Sequence, residues 1–309
     1  MHRRHVLAAL SSLPCWLGCE RRRTPGGAEG QPPLTSSQAG RPGPDTLSPR
    51  ATTHDAMPAI FAAHGAPVLL DDAVWVDELH RWALSLPRPK AILMVSAHWE
   101  HRPTTLGAVT SVPLVYDFYG FPERYYQTLY PAPGAPDLAA RVRSLLKEKQ
   151  IAVADDPNRG LDHGAYVPLV AMYPSADVPV LQLSMPALDP TELFGLGRAL
   201  APLRNEGVLV FGSGFLTHNM KFAFRRGTPA WAHEFDAWAA SSLERADIDA
   251  LLDFQARAPA ARTALPTWEH YAPLLVALGA TADTTTRVSF PITGFWMDGA
   301  FTKRSVQWS

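Results

Sequence analysis

Two histidines stand at the ends of short apolar runs, where their side chains could bind a metal ion. His64 ends the run in FAAHGAPVLL, and His98 ends the run in ILMVSAHWE. A third histidine, His218, follows the apolar run VLVFGSG. Imidazole nitrogens bind iron, zinc and copper, and they also exchange protons near neutral pH. The pattern therefore indicates a metal centre with acid–base groups close to it.

Four short apolar runs bounded by turn residues predict the buried strands that position these histidines. The runs cover residues 59–63, 91–97, 178–184 and 207–214. Nearly continuous apolar character is typical of strands that are covered on both faces. Helical patterns alternate with the strands, at residues 72–86, 137–149, 190–205, 230–245 and 267–278. This alternation predicts an α/β fold in one domain, with three layers and a mainly parallel central sheet flanked by helices.

The predicted topology brings the strand-end histidines together. In an open α/β sheet, the functional crevice lies beyond the carboxyl ends of the strands. Two further candidates are His163, which opens a helical pattern in GLDHGAYVPL, and His270, at a predicted helix start in PTWEHYAPLL. Gly65 and Gly164, each next to one of these histidines, permit tight turns and close backbone approach. We expect these histidines to share one crevice.

Some polar residues in these segments have a simpler interpretation. A single histidine at a strand end is more often a hydrogen-bonded residue at the rim of the core. Three histidines keep that interpretation: His80, His101 and His233. Glu100 is expected to be an ordinary solvent-facing carboxylate. Glu269 competes with His270 as a ligand, and because adjacent helical residues point in different directions, only one of the two is expected to bind.

Composition excludes several function classes. The 309 residues are 47% hydrophobic and 18% charged, with a formal net charge of −1, which is typical of a soluble globular protein. We find no lysine and arginine stripe, so nucleic acid is not an expected partner. The two cysteines, Cys15 and Cys19, lie near the start of the chain. The remainder therefore has no disulfide framework, thiolate metal site or cysteine nucleophile, and a metal must be held by His, Asp or Glu.

The first 56 residues are not expected to belong to the folded domain. Residues 1–23 carry the pair Arg3 and Arg4 before an apolar stretch, which indicates an export signal of the twin-arginine or lipoprotein type. Cys19 is a candidate for lipid attachment, so the protein is expected in the periplasm or anchored to a membrane. A misassigned start codon and a cytoplasmic protein are the alternative. Residues 24–56 are rich in Pro, Gly, Ser and Thr and predict a flexible tether, followed by a catalytic domain at 57–309.

Several longer motifs resemble a known enzyme family. They are HGAP, PRPKAILMVSAHWE, YDFYGFPERYYQTLYPAPGAP, RGLDHGAYVPL, MYPSADVPVLQLS, GSGFLTHN and PTWEHYAPLLVALGA. In this order they resemble the DOPA 4,5-dioxygenase branch of the class III extradiol ring-cleavage dioxygenases. That superfamily also contains the protocatechuate 4,5-dioxygenase beta subunit. The resemblance extends from about Met57 to the C-terminal SVQW.

The resemblance implies a single non-haem metal ion, with Fe(II) expected for activity and Zn(II) possible as the bound ion. It implies three histidine ligands, namely His64, His98 and His270. His218 matches the acid–base residue of the family, and His163 matches a second pocket histidine. The wider superfamily uses two histidines and a carboxylate, so Glu269 remains an alternative to His270 as the third ligand.

The implied activity is insertion of both atoms of O2 into a small catechol-type aromatic diol. The aromatic segment 116–136 is a candidate wall for such a planar substrate, although a Pro-rich loop pinned to the core by its rings is the simpler interpretation. Two other functions remain open from the residues. The same histidines could activate water in a zinc-dependent hydrolase, or the chain could be an exported metal-binding protein without turnover.

Overall fold

The computed structural model describes residues 56–223, 225, 227–282, 286–297 and 299–309. The predicted leader, 1–23, and the predicted tether, 24–56, lie outside these residues except for Ala56. Export and lipid attachment through Cys19 therefore stay predictions. Among the helices in the described ranges, none is long and apolar enough to cross a membrane.

Eight strands form one mixed sheet and two form a separate hairpin. The strands are β1 (Ala59–Ala63), β2 (Ala91–Glu100), β3 (Thr104–Leu106), β4 (Val153–Asp155), β5 (Val180–Met185), β6 (Val208–Gly214), β7 (Val288–Ser289), β8 (Phe295–Trp296), β9 (Phe301–Thr302) and β10 (Val306–Trp308). The order in the main sheet is β4-β3-β5-β2-β6-β1-β10-β7, and β8 pairs with β9. The four central strands β5, β2, β6 and β1 are parallel to one another, whereas β10 and β7 extend the sheet in antiparallel pairs.

Helices cover both faces of this sheet. They are α1 (Ala73–Ser85), α2 (Pro136–Glu148), α3 (His163–Met172), α4 (Pro190–Leu200), α5 (Pro202–Asn205), α6 (Ala230–Glu244), α7 (Ile248–Leu252), α8 (Phe254–Arg257), α9 (Ala261–Ala264) and α10 (Ala272–Gly279). Three 3-10 turns accompany them, at Pro67–Asp71, Glu123–Gln127 and Met220–Phe222. The predicted three-layer, mainly parallel α/β fold in a single domain is confirmed.

The strand side chains alternate between two apolar clusters, one on each face of the sheet. On β1, Phe61 packs into the cluster that contains α2, α4, α6 and α10, whereas Ile60 packs into the cluster that contains α1 and α3. On β2, Leu93 and Met94 divide in the same way. Both faces of the central strands are buried, which explains why these strands are continuous apolar runs. The four predicted strands are the four central strands, with ends shifted by at most a few residues.

Two predicted helices differ from the observed ones at positions where proline intervenes. The helix predicted at 190–205 is broken at Ala201, because Pro202 has no amide hydrogen to continue the hydrogen-bond ladder and starts α5. The helix predicted at 267–278 begins only at Ala272, with Pro273 in its first turn. His270 therefore lies in the turn before α10, and its prediction as a helical residue is wrong.

Candidate metal centre and acid–base site

Five histidines of the described chain meet at the carboxyl edge of the central strands. The ring centroid of His98 is 5.0 Å from that of His64 and 4.0 Å from that of His163. The ring of His270 lies 5.3 Å from His64 and 4.9 Å from His98, and it stacks on His218 at 3.5 Å. All five candidate histidines from the sequence are thus brought into one cluster.

The parallel strands supply two of these side chains directly. His64 follows the last residue of β1, whereas His98 lies inside β2, which extends to Glu100 and so runs three residues beyond the predicted strand. The pairing of β2 with β5 shifts register between Val95 and Glu100. Within this irregular stretch the amide of His98 donates to the Ser96 hydroxyl at 3.2 Å. This register shift turns the strand end toward the cluster.

His163 is held by the start of α3. Asp162, which is fully buried, caps this helix by accepting a hydrogen bond from the amide of Ala165 at 3.1 Å. Asp162 also accepts from the Ser96 hydroxyl at 2.6 Å and from Arg159 at 2.7 Å. The cap therefore ties the first residue of α3 to β2, and it places His163 beside His98.

His270 is held by its backbone against the end of β6. The amide of Phe215 donates to the carbonyl of His270 at 2.9 Å. A Cβ at Gly214 would lie only 2.0 Å from that carbonyl oxygen, so glycine is required for this close approach. The turn before α10 therefore docks directly on the strand that precedes His218.

The nitrogen spacing in the cluster fits a shared metal ion. Two imidazole ligands, each about 2.1 Å from one ion and at roughly right angles, have nitrogens about 3 Å apart and ring centroids about 4.5–5 Å apart. The Nε2 atoms of His64 and His98 lie 3.2 Å apart. Two trios of ligand atoms each lie within 4.8 Å of one another: one contains His64, His98 and His163, and the other contains His218, Glu269 and His270.

Parallel stacking argues against the second trio as the ligand set of one ion. The rings of His218 and His270 are 3.5 Å apart and only 12° from parallel. Lone pairs of imidazole nitrogens lie in the ring plane, so two stacked rings direct them along parallel planes rather than toward one point. One of these two histidines can bind the ion, and the other stays available for proton transfer.

Oxygen atoms on the outer side of the cluster leave Nε2 as the free nitrogen of three histidines. The hydroxyl of Ser213 donates to the carbonyl of Gly164, so its oxygen accepts from Nδ1–H of His64 at 3.0 Å. Nδ1 of His270 lies 3.0 Å from Oε1 of Glu269, and Nδ1 of His163 lies 2.8 Å from Oδ1 of Asp117. Metal-binding histidines carry such outer hydrogen bonds, which fix the tautomer.

Glu269 and His270 are the two candidates for the third ligand from the sequence, and the structure shows how their side chains lie. The two residues were expected to point in different directions, as on a helix, but in the observed turn their side chains contact each other. Oε1 of Glu269 also accepts from the Thr267 hydroxyl at 3.2 Å. The Glu269 carboxylate therefore contacts Nδ1 of His270, the nitrogen on the outer side of the cluster.

Burial favours the neutral form of four of the five imidazoles. Desolvation, followed by the neighbouring histidines, lowers the pKa of His64 and His270 well below the ordinary value. Desolvation also lowers the pKa of His98 and of His218 to about 4. A neutral imidazole is the form that binds a metal or accepts a proton. His218 is thus a weaker base than the free side chain that the sequence suggested.

Asp117 is a functional candidate that the sequence interpretation missed. Its side chain is 21% exposed, and Oδ1 accepts both Nδ1–H and the backbone amide of His163, at 2.8 and 2.9 Å. Oδ2 lies 3.7 Å from Nδ1 of His98. Burial acts to raise the pKa of Asp117, but the hydrogen bonds from His163 outweigh it and lower the pKa to about 2. The one available signal was a carboxylate inside the aromatic motif YDFYGF.

The remaining polar candidates stay outside the cluster, as expected from the sequence. His101 is exposed and bonds the Thr105 hydroxyl at 2.8 Å, and the exposed His233 packs against Phe295. His80 is half-buried on α1 rather than exposed. Glu100 ends β2 at the surface, where partial burial and the charge of Glu269 raise its pKa.

The aromatic segment packs on itself and reaches the cluster through one ring. The ring of Phe118 lies 4.8 Å from Tyr126 and 5.9 Å from His163, which it meets edge to face. The Tyr116 hydroxyl donates to the carbonyl of Thr128 at 2.7 Å and closes the loop. The loop is therefore pinned by its own rings and places Phe118 beside the histidines, while its role as a substrate wall stays a prediction.

Gly164 is packed so closely that any side chain would disturb the cluster. A Cβ there would lie 2.5 Å from Oγ of Ser96, 2.7 Å from Cδ2 of His98 and 3.2 Å from Cε1 of His64. We predict that Gly164→Ala lowers the free energy of unfolding by about 1–3 kcal/mol, as overpacking does, and weakens metal binding because His98 must move. Thermal unfolding and chelator competition measure the two effects.

Gly195 provides the matched control for this substitution. It lies in α4, and a Cβ built there has open space around it. Gly195→Ala is expected to leave metal binding unchanged and to stabilise the helix by up to about 1 kcal/mol. Equal metal affinity in the two alanine variants would contradict the role of Gly164 in spacing the histidines.

Comparison with known proteins gives consistent matches along the described domain. A family model for the catalytic LigB subunit of aromatic ring-opening dioxygenase matches residues 59–299. A Beta vulgaris protein named 4,5-DOPA dioxygenase extradiol is 43% identical over 231 residues, which cover 72% of this chain and 86% of that protein. A protein of the same name from Escherichia coli strain K12 is 37% identical over 262 residues, covering 81% and 94%. The solved structure of an uncharacterized Escherichia coli K12 protein aligns with a TM-score of 0.70 at 35% identity, covering 82% of this chain and 100% of that chain.

Proposed function

Since this chain belongs to the family of the catalytic LigB subunit of aromatic ring-opening dioxygenases and is an extradiol dioxygenase of the DOPA dioxygenase-like type, we propose that it cleaves a small catechol-type diol at one non-haem metal ion. The resemblance noted in the motifs is confirmed by these relatives. The metal dependence, the identity of the metal and the catechol substrate are the proposed parts.

One observation carries the metal proposal. Two neutral imidazoles, the buried His64 and the half-buried His98, face each other through Nε2 atoms 3.2 Å apart. The serine that accepts from Nδ1–H of His64 leaves a lone pair on its Nε2, so at this distance Nε2 of His98 either donates a hydrogen bond to that lone pair or shares a cation with it. Cluster geometry and chemistry thus fit a divalent ion.

We assign His64, His98 and His270 as the ligands. Their three ring-centroid distances are 5.0, 5.3 and 4.9 Å, which are similar to one another and close to the spacing of about 4.5–5 Å for imidazoles that share an ion. The alternative third ligand, His163, has its ring only 4.0 Å from that of His98. An Fe(II) ion bound there would supply the Lewis-acid and redox chemistry that lets O2 react with an aromatic diol.

His218 and His163 are the proposed proton-handling groups. A catechol must lose a phenolic proton on binding, and neutral His218, stacked on His270, is placed to accept it. His163 donates Nδ1–H to Asp117, so its free Nε2 is an acceptor for a diol hydroxyl. Protonated His218 would then return its proton as the O–O bond breaks, and both oxygen atoms stay in the ring-opened product.

The surroundings favour a planar aromatic substrate. Two phenylalanine rings adjoin the histidines: Phe118 lies 5.9 Å from the ring of His163, and Phe215 lies 5.3 Å from the ring of His64. These rings exclude water and offer faces and edges for packing against a diol. The relatives named for 4,5-DOPA support DOPA or a similar catechol as the substrate.

The decisive experiment is anaerobic loading of the purified chain with Fe(II), followed by catechol, DOPA or protocatechuate and then air. We expect oxygen uptake and a yellow ring-opened product with at least one diol, and loss of both after removal of the metal by a chelator. Zn(II)-loaded protein serves as the redox-inactive control. Hydrolysis of an ester or amide by the zinc form, without oxygen uptake by the iron form, would contradict the proposal and favour the zinc hydrolase.

A further inference from the structure

One carboxylate contacts two histidines of the cluster from the outer side. Asp117 uses Oδ1 for His163, at 2.8 Å from Nδ1, and its Oδ2 lies 3.7 Å from Nδ1 of His98. The rings of these two histidines are 4.0 Å apart. Asp117 therefore faces Nδ1 of both rings.

We infer that Asp117 is a positioning residue that keeps the protons of His163 and His98 on Nδ1, so that both Nε2 atoms stay free for proton acceptance and metal binding. This inference rests on the proposed function for the roles of the two histidines. It concerns Asp117 itself, which touches neither substrate nor metal.

The charge and shape of a carboxylate are needed for this arrangement. Both carboxylate oxygens of Asp117 can only accept: Oδ1 accepts two hydrogen bonds from His163, and Oδ2 lies 3.7 Å from Nδ1 of His98. An asparagine can keep one oxygen on the two donors of His163, but its NH2 group then occupies the place of Oδ2, facing Nδ1 of His98. An amide donor at that point favours a lone pair on Nδ1 and moves the proton of His98 to Nε2, the nitrogen proposed to bind the metal.

The position of Asp117 also connects the histidines to the aromatic segment. It is preceded by Tyr116, whose hydroxyl closes the loop on Thr128, and followed by Phe118, whose ring meets His163 at 5.9 Å. A purely structural role would have Asp117 only anchor this loop. The experiment must separate this anchoring from control of the proton positions.

Asp71 offers a matched control, because it anchors the same loop without contacting a histidine of the cluster. Its carboxylate accepts the hydroxyl of Tyr125 and a hydrogen bond from Arg124 at 2.7 Å. Asp71→Asn and Asp117→Asn thus make the same chemical change at two anchors of one loop. Only Asp117→Asn alters the outer side of the histidines.

The test compares the two variants with the parent chain by Zn(II) affinity in chelator competition, by kcat and KM of the Fe(II)-loaded protein, and by ¹⁵N NMR of the histidine tautomers. For Asp117→Asn we expect about 10–100-fold weaker Zn(II) binding, the usual effect of losing an outer partner of a ligand. We also expect a kcat reduced by about 10-fold or more at saturating metal, and a shift of His98 or His163 toward the Nε2–H tautomer. Asp71→Asn should stay within about twofold of the parent in all three.

Two results would overturn the inference. The first is parent-like Zn(II) affinity and tautomers in Asp117→Asn, and the second is an equal loss in Asp71→Asn, which would show loop anchoring. The metal affinity and the tautomers do not depend on turnover. A parent chain that fails to cleave any diol, with the Asp117→Asn effect on Zn(II) intact, would therefore reject the proposed function and leave the positioning role in place.

Discussion

His98→Ala is expected to lose the metal ion and, with it, all ring cleavage. His98 contributes one of the two Nε2 atoms that face each other at 3.2 Å, and its removal leaves His64 without the partner that completes this side of the site. The loss of metal affinity should exceed the loss of about 10–100-fold that follows substitution of a residue hydrogen-bonded to a ligand. Metal content after dialysis and oxygen uptake with a catechol measure both consequences.

His101→Ala is the control for this variant. His101 follows the same strand by one residue and is exposed, and its side chain contacts the Thr105 hydroxyl and the carbonyl of Pro103, away from the cluster. It should keep its metal and its activity. A fully active, metal-loaded His98→Ala protein would remove the ligand assignment, and the oxygenase site proposed here would have to be placed elsewhere.

The same dialysis experiment separates the two candidates for the third ligand. His270→Ala should lose metal to a similar extent as His98→Ala, whereas His163→Ala should retain it. The reason is the even spacing of His270 from the other two rings, in contrast to the 4.0 Å between His163 and His98. The opposite pattern would make His163 the ligand.

His218→Ala is expected to keep its metal but to lose about 10²–10⁴-fold in kcat, the range that a positioned acid–base group contributes. His218 is half-buried, neutral at pH 7 and stacked on His270, so it accepts a proton without occupying a ligand position. Metal content, KM and kcat under saturating oxygen should show a nearly pure loss of kcat.

His218→Phe controls for the loss of the stacked ring. Phenylalanine can retain the packing against His270 and Phe301 but has no nitrogen to accept a proton. It should therefore match His218→Ala in turnover and the parent in metal affinity. Loss of metal in both variants, to the level of His98→Ala, would identify His218 as a ligand instead.

The central part of the fold follows from local patterns. The apolar runs at 59–63, 91–97, 178–184 and 207–214 became β1, β2, β5 and β6, because a strand that is buried on both faces needs apolar side chains at every position. The short strands β3, β4 and β7–β10 were not predicted. Each of them has only two or three residues, too few to show a periodic pattern. They are strands because other segments of the chain pair with them.

Some residues of the site could be identified from the sequence, whereas others depend on contacts between distant segments. His64 and His98 could be identified because parallel strands end at one edge of the sheet. The turn around His270 was predicted as helix, since the docking of its carbonyl on the Phe215 amide is invisible in a periodic pattern. Asp117 was missed because its partner His163 lies 46 positions further along the chain.

Hydrophobic periodicity along the chain was sufficient to predict the fold class and to select five candidate histidines, because it is a local property. The enzyme family followed from the resemblance of the longer motifs to a known family. The export leader at 1–23 also rests on such local patterns and stays a prediction. Which nitrogen of each imidazole is free, and which two rings stack, depends on hydrogen bonds between segments far apart in the chain. Those contacts form only when the packed core brings Ser213, Asp117 and Glu269 to the outer side of the cluster.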